Sequence, residues 1–291
     1  MHVNVIVVVV YLLPVVALGV LLIRAMTAPV SRVRLERFAR RQQLLITPDN
    51  GNQVIRYLAV TRRWRLAGVV VALAGGAVWL IARNEPSVEI NFLQLLAGWF
   101  FGALVAEGRL SRTSAGQRRL ASLRARDASM YLHTVTRHAV PAALAISLAV
   151  SVVALCLAAL GRTPDVATAV LAQSAAVAAA VLVRVVGGRI LTRAQPLLAP
   201  DQLAADDAIR SRSLHALAGS GTALVLYAVI SQLTALSSAL PPTAADAVTG
   251  VALVLVFVAP LIGWRIATLP WAVRRGATVP PADSGPTPLK R

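Results

Sequence analysis

The chain has 291 residues, of which 57% are hydrophobic and 14% are charged, and its mean hydropathy is +0.70. Because a soluble domain carries roughly a quarter of charged residues, this composition excludes an ordinary soluble protein and predicts one embedded in a lipid bilayer. The formal net charge of +17 would favour nucleic-acid binding in a soluble protein. No basic module with interleaved aromatic residues occurs, so we expect no nucleic-acid partner.

The first 65 residues predict one membrane span followed by a basic segment. Residues 3–23 form an uncharged run of 21 residues, long enough to cross a hydrocarbon core of about 30 Å. Residues 24–65 contain ten arginines, and we expect a helix over 31–46 to lie in the headgroup layer. Thr47-Pro48 is typical of a helix start, with a threonine cap and a proline in the first turn.

Six more apolar runs follow in pairs, and each pair is joined by a short polar turn that predicts a helical hairpin. The runs are 66–82, 90–106, 140–160, 166–183, 214–236 and 247–266. The sequence therefore predicts an all-α integral membrane protein with seven transmembrane helices. The predicted segments are an N-terminal helix (1–23), a basic cytoplasmic or interfacial helical segment (24–65), a six-helix bundle (66–269) of three hairpins (66–106, 140–186, 214–268), and a disordered cytoplasmic tail (270–291).

The distribution of basic residues predicts the orientation of these spans. Of the 29 lysines and arginines, 27 fall in the segments 24–65, 109–137, 184–212 and 265–291, whereas Arg83 and Arg162 fall in the opposite turns. Basic loops stay in the cytoplasm, so we expect a bacterial cytoplasmic membrane protein with its N-terminus outside and its C-terminus inside. The same segments are expected to contact anionic lipid headgroups on the cytoplasmic side.

Some motifs recur along the hairpins and indicate a tandem repeat. Segments 57–62 and 131–137 share a Y-L…V-T-R pattern, and the two V-T-R triplets are 75 positions apart. Arg109, Arg189 and Arg265 follow three hairpins at spacings of 80 and 76 residues. A triplicated hairpin would explain this period, but arginines at cytoplasmic exits are also what the charge rule alone predicts.

Glu107 is the only carboxylate inside an apolar run, which makes it the first candidate for a functional group. One interpretation is an ion or substrate gate in which Glu107 pairs with Arg184, which lies at a similar predicted depth. The alternative, which the sequence favours, is a carboxylate that reaches the interface and pairs with Arg109 or Arg112.

Other polar residues fall inside predicted spans. They could line a small polar cavity or hydrogen-bond neighbouring helices, and the candidates are Gln173, Ser174 and Gln232. His133, His138 and His215 fall at span starts, where we expect interfacial residues. No H-E-x-x-H or similar spacing occurs, so we expect no metal.

Small residues recur every fourth position on two consecutive spans. The second span carries Gly68, Ala72 and Gly76, and the third carries Gly98, Gly102 and Ala106. Such faces let helix backbones approach closely, so the pattern predicts a tightly packed helix pair.

The segment 96–137, with AGWFFGALVAEGRLSR before a basic loop and YL…R before the next span, resembles a group of small multi-spanning membrane proteins of high-GC Gram-positive bacteria. The resemblance implies a membrane fold and no activity, ligand or site residue.

Three functions remain open on the sequence. The first is a non-catalytic accessory or scaffold protein that packs against a membrane protein partner or itself. The others are a small-molecule transporter and an intramembrane enzyme. No P-loop, dinucleotide fingerprint or G-x-S-x-G motif occurs, so we expect neither catalysis nor a cofactor.

Overall fold

The computed structural model describes residues 19–20, 23–82, 92–112, 119–120, 127–193, 195–196 and 200–270 of the chain. The predicted N-terminal span lies outside these residues except at 19, 20 and 23, which are helical. The predicted turn at 83–91 and the predicted tail after residue 270 also lie outside them.

The described chain is built of long helices joined by short connections. Residues 23–27 are helical, a single 3-10 turn covers Ala128–Met130, and two short strands, β1 (Arg119–Leu120) and β2 (Gln195–Pro196), pair antiparallel with Arg119 opposite Pro196. The long helices are α1 (Arg32–Gln42), α2 (Pro48–Ala82), α3 (Phe92–Leu110), α4 (Thr134–Ala159), α5 (Val166–Thr192), α6 (Pro200–Ser237) and α7 (Pro242–Ala267).

Four helices, α4 to α7, are long and apolar enough to cross a membrane. They correspond to the last four of the seven predicted spans. The predicted count of seven is not confirmed, because the first span and the connection between the second and third lie outside the described residues. The structure therefore supports a helical membrane protein at the coarser level of four candidate spans.

Local chemistry explains where several helices begin and end. The Thr47 amide donates to Asn50 Oδ1 (2.9 Å), and Asn50 Nδ2 donates to the Leu45 carbonyl (2.8 Å), so α2 begins directly after Thr47. Asp165 caps α5 by accepting from the Thr168 amide at 3.0 Å, and the Thr168 contacts hold the pKa of Asp165 below its usual value. At the end of α1, Gln43 adopts a left-handed conformation (φ 48°) that turns the chain toward α2.

Helix α6 is the centre of the bundle. It contacts α2, α3, α4, α5 and α7. Of its most apolar 18-residue stretch, 94% is buried, against 22% in α4 and 17% in each of α5 and α7. The outer helices therefore turn most of their apolar side chains away from the protein, as lipid-facing helices do.

Two pairs of helices pack with their backbones close together. A Cβ atom on Gly68 of α2 would lie 2.9 Å from Gly102 Cα on α3, and one on Gly98 would overlap Ala72 of α2. Gly76 faces the Gln94 side chain, and Ala106 is fully buried. A second pair, absent from the sequence prediction, joins α6 to α7, where a Cβ on Gly263 would lie 2.7 Å from the Gly219 carbonyl oxygen.

The repeat is not confirmed. Tyr57 lies inside α2, whereas Tyr131 lies before α4 and outside any helix, so the shared Y-L…V-T-R pattern occupies two different local structures. Arg109, Arg189 and Arg265 do share a position, because each lies in the last turn of its helix. That shared position also follows from the favourable placement of cations at helix C-termini.

Candidate functional site

A cavity of about 340 Å³ opens at one end of the bundle, and we call it the arginine cavity. Helices α1, α2, α3, α6 and α7 all contribute to its walls. None of the described residues that line it carries a carboxylate. Its six cationic residues are Arg34, Arg37 and Arg41 from α1, Arg62 and Arg65 from α2, and Arg212 from α6.

The spacing of these arginines along each helix explains why they converge. Arg34, Arg37 and Arg41 are three and four residues apart, so they lie on one face of α1. Phe38 fixes the rotation of that face: it is 5% exposed, and its ring lies 6.1 Å from the ring of Tyr57 on α2. Helix α1 is therefore held on the bundle by an apolar anchor while its basic face turns toward the cavity.

The arginine cavity is a region of concentrated positive charge. Burial, followed by repulsion from Arg212, Arg37 and Arg265, lowers the pKa of Arg41, and burial with repulsion from Arg34 lowers the pKa of Arg62. Three buried polar atoms on its walls have no hydrogen-bond partner among the described residues: Arg65 Nε, Arg212 Nη1 and Gln42 Oε1. Because buried polar groups are normally satisfied, the cavity is suited to an anionic ligand.

Two tryptophans flank these cations. The guanidinium of Arg65 lies over the ring of Trp99, 5.7 Å from its centroid, and Trp264 of α7 is 58% exposed at the cavity wall. Tryptophan with arginine is the side-chain combination found where a membrane protein meets the polar headgroups.

Glu107 lies behind the arginine cavity and does not reach the interface. It is 1% exposed, and Tyr57 Oη donates to its Oε1 at 3.0 Å. Ser213 Oγ lies 3.5 Å from the same tyrosine oxygen. The interpretation that Glu107 extends to the interface to pair with Arg109 or Arg112 is therefore wrong. The reason is that three helices enclose it, while Arg109 instead lies over the Trp64 ring at 4.2 Å.

The hydrogen bond between Tyr57 and Glu107 predicts a measurable stability difference. Burial and the nearby Glu107 raise the pKa of Tyr57, which therefore stays a protonated donor. Tyr57→Phe should lower the free energy of unfolding by about 1–3 kcal/mol, because it leaves a buried carboxyl without this donor.

A second tyrosine supplies the matched control, measured by thermal unfolding of the detergent-solubilised protein. Tyr227 is buried too, but its hydroxyl has no partner among the described residues, so Tyr227→Phe should change stability by less than about 0.5 kcal/mol. Equal losses from the two substitutions would show that the Glu107 contact contributes nothing of its own.

Arg184 lies in a different place from Glu107, and among the described residues the two form no ion pair. Arg184 is exposed on α5 and lines a second cavity of about 450 Å³ between α4, α5 and α6. Arg137 lines it as well, but most of its walls are apolar, including Leu144 and Leu217. The predicted Glu107–Arg184 pair is therefore wrong, because equal depth along two helices does not place two side chains on facing sides.

The predicted mid-span amides meet, together with two serines that the sequence did not single out. Gln232 Nε2 donates to Ser147 Oγ, Ser151 Oγ and Gln173 Oε1, each at 3.0 Å. Ser147 Oγ also lies 2.8 Å from Gln173 Oε1. Ser174 is not part of this group, because it is exposed and bonds the Val170 carbonyl of its own helix. We call the four joined residues the amide cluster.

A buried ion-pair network near the start of α6 was also missed by the sequence analysis. Asp206 is 3% exposed and binds Arg193 and, at 2.8 Å, the fully buried Arg210. Arg210 Nη1 donates to the Ile190 and Leu191 carbonyls at the C-terminus of α5. The network therefore joins the end of α5 to α6 by capping carbonyls that a helix leaves unpaired.

The histidines do not form a metal site. No group of three or more histidine, cysteine, aspartate or glutamate side chains converges in the part of the chain that the structure describes. His215 is fully buried, and its Nδ1 lies 2.9 Å from the Ser211 carbonyl, so the prediction that it is an interfacial residue is wrong. It faces His133 with a distance of 6.3 Å between ring centroids.

No protein-family model, curated protein or solved structure matches this chain.

Proposed function

We propose that this is a non-catalytic multi-pass protein of the bacterial cytoplasmic membrane. It would act as a scaffold or accessory subunit by packing its helices against a partner membrane protein or a second copy. The proposal keeps seven spans, with the N-terminus outside and the basic segments in the cytoplasm. On this arrangement the arginine cavity lies at the cytoplasmic end of the bundle.

The exterior of the bundle supports the membrane location. Large apolar side chains are exposed on the three outer helices, and they include Ile146, Leu148 and Val152 on α4, Val170, Leu171 and Val181 on α5, and Leu253, Phe257 and Leu261 on α7. A surface of this kind is stable in hydrocarbon, whereas in water it would be an aggregation site.

The amide cluster carries the choice of a scaffold over a transporter. The polar groups that a transport path would use at mid-bundle hydrogen-bond one another instead, and they tie α4, α5 and α6 together. Interhelical hydrogen bonds of this kind are worth about 0.6 kcal/mol each and stabilise packing. The cavity beside them is mainly apolar, which suits helix or lipid contact better than passage of a polar solute.

The proposed function is tested on the intact protein extracted in mild detergent from its own membrane. Native mass spectrometry is expected to show a complex of fixed stoichiometry, either a homo-oligomer or an assembly with one partner. Proteoliposomes that contain pyranine are expected to show no proton flux, and light scattering no solute-driven swelling, beyond those of empty liposomes. A monomeric protein, or a flux above that background, would contradict the proposal.

The proposed topology predicts the labelling pattern of two engineered cysteines. In a Cys156→Ser background, a membrane-impermeant maleimide added to intact cells should label Ser87→Cys and leave Ser114→Cys unlabelled. The reason is that 27 of the 29 basic residues, including those around residue 114, are held in the cytoplasm. Permeabilised cells supply the control, since both positions should then react. Labelling of both positions in intact cells would overturn the orientation.

A further inference from the structure

We propose that the arginine cavity is a specific binding site for the headgroup of an acidic phospholipid. Each basic residue of a cytoplasmic segment attracts anionic membranes diffusely. The inference here is different, because it assigns one lipid to one cavity. It rests on the proposed function only for the location of that cavity at the cytoplasmic membrane surface.

The walls of the cavity offer donors that suit a phosphate group. Arginine binds phosphate through its planar set of N–H groups, and charge-assisted bonds of this kind are strong. Arg65 Nε and Arg212 Nη1 are buried donors without partners among the described residues. Arg37 and Arg41 form no ion pair within the described chain. Four guanidinium groups thus remain to surround one anionic group.

Arg62 has another role at the same cavity. Its Nη1 donates to the Pro29 carbonyl at 3.4 Å, and its Nη2 donates to the Ala28 carbonyl. Arg62 therefore holds the segment that leads from the N-terminal helix to α1, and Val30 of that segment forms part of the cavity wall. The cavity is consequently enclosed by the chain itself on this side.

Gln42 adds an acceptor to this set of donors. It is 1% exposed, it lines the cavity, and its Oε1 has no hydrogen-bond partner among the described residues. A bare phosphate dianion offers it no proton. A headgroup that carries a hydroxyl next to the phosphodiester, as glycerol does, would supply both the acceptor for the arginines and the donor for Gln42.

The size and surroundings of the cavity favour a lipid over a soluble phosphate. Its volume of about 340 Å³ is at the low end of the roughly 300–1,000 Å³ found for ligand pockets. Trp264, beside the cavity, is 58% exposed, and Leu261 and Phe257 continue along α7 with 61% exposure each. Acyl chains attached to a headgroup in the cavity would therefore have an apolar helix face to lie against.

The nearest described carboxyl group does not neutralise this charge. Glu107 lies close enough to Arg65 and Arg212 to interact with both, but it is buried behind them and receives the Tyr57 hydroxyl. Glu36 is on α1 but exposed, and it forms no ion pair with a described residue. An anion from outside the protein is therefore needed for local charge balance.

The test uses the full chain, delipidated in a neutral detergent, with dioleoyl phosphatidylglycerol as the probe and dioleoyl phosphatidylcholine as its zwitterionic counterpart. Native mass spectrometry counts bound lipids and gives their apparent Kd. We expect one phosphatidylglycerol to bind at least tenfold more tightly than phosphatidylcholine. The double variant Arg37→Gln/Arg41→Gln should raise the Kd for phosphatidylglycerol at least tenfold.

The matched control is Arg32→Gln/Arg40→Gln. It removes the same charge from the same helix, but at two exposed residues that do not line the cavity, and it should raise the Kd less than about threefold. Arg34→Gln, at an exposed residue that does line the cavity, provides a second variant that leaves folding intact. Thermal unfolding without lipid confirms that each variant is folded.

The outcomes separate the proposal from its alternatives. Equal losses in the two double variants would show diffuse attraction and overturn the site. Displacement of phosphatidylglycerol by inorganic phosphate at the same concentration would identify a site for free phosphate and overturn the lipid assignment. Failure of the lipid site leaves the labelling pattern and the oligomer measurement unchanged, so it is distinguishable from failure of the proposed function.

Discussion

Gly102→Leu should prevent the protein from folding or accumulating in the membrane. A Cβ at this position would overlap the Trp64 carbonyl oxygen and lie 2.9 Å from Arg65 Cα, so both obstacles are backbone atoms of α2. Backbone cannot move aside as a flexible side chain does, so α2 and α3 must separate. We expect a loss of about 3 kcal/mol or more, at the upper end of what overpacking costs.

Gly75→Leu provides the matched control for this substitution. Gly75 is an exposed glycine of α2, and a Cβ there would have nothing within 4 Å. The added side chain should be tolerated, and stability should change by no more than about 1 kcal/mol in either direction. The measurement is the yield of monodisperse protein in size-exclusion chromatography, followed by its Tm. Similar yields for the two variants would contradict the close contact between α2 and α3.

Asp206→Asn is expected to be the most damaging change of a single charged residue. Asp206 is the shared partner of Arg193 and Arg210, and Arg210 is fully buried. Removal of the carboxylate leaves a buried guanidinium without its counter-charge, which costs about 3–5 kcal/mol. Because Arg210 also caps the carbonyls at the end of α5, the damage should extend to the contact between α5 and α6.

Asp201→Asn serves as the comparison for Asp206→Asn. It removes the same charge from the first turn of the same helix, but Asp201 is exposed, so only a helix-end effect of about 0.5 kcal/mol is expected. Thermal unfolding in detergent measures both variants, and hydrogen exchange of α5 shows whether its C-terminus opens. If Asp206→Asn melts within 2 °C of the wild type, Arg210 does not depend on this carboxylate ( gives roughly 2–4 °C per kcal/mol).

The sequence was informative where composition and periodicity decide the structure. An apolar run of 20 residues between charged turns has few alternatives to a helix, and α4 to α7 follow the predicted runs 140–160, 166–183, 214–236 and 247–266 closely. Thr47-Pro48 correctly located the start of α2, because capping depends on neighbouring residues alone. Gly68, Gly98 and Gly102 were singled out by spacing, and the structure brings them together.

Contacts between distant residues were harder to predict, because spacing says which face a residue occupies but not which helix meets it. Glu107 could be assigned to the end of α3, yet its partner Tyr57 lies 50 positions earlier. The arginine cavity had a readable signal in the spacing of Arg34, Arg37 and Arg41. We interpreted that charge as a topology signal, and only the anchoring of α1 through Phe38 shows where it points.

The length of α6 imposes a constraint on how this protein tolerates change. Its 38 residues rise about 57 Å, nearly twice the thickness of the hydrocarbon layer, without a proline after its first residue. One continuous rod therefore sets the rotational phase between Arg212 at one end and Gln232 further along. A single residue inserted between them would turn one end against the other by about 100°, whereas four would nearly restore the original alignment. Evolution of this helix is thus confined to substitutions and to insertions that complete a turn.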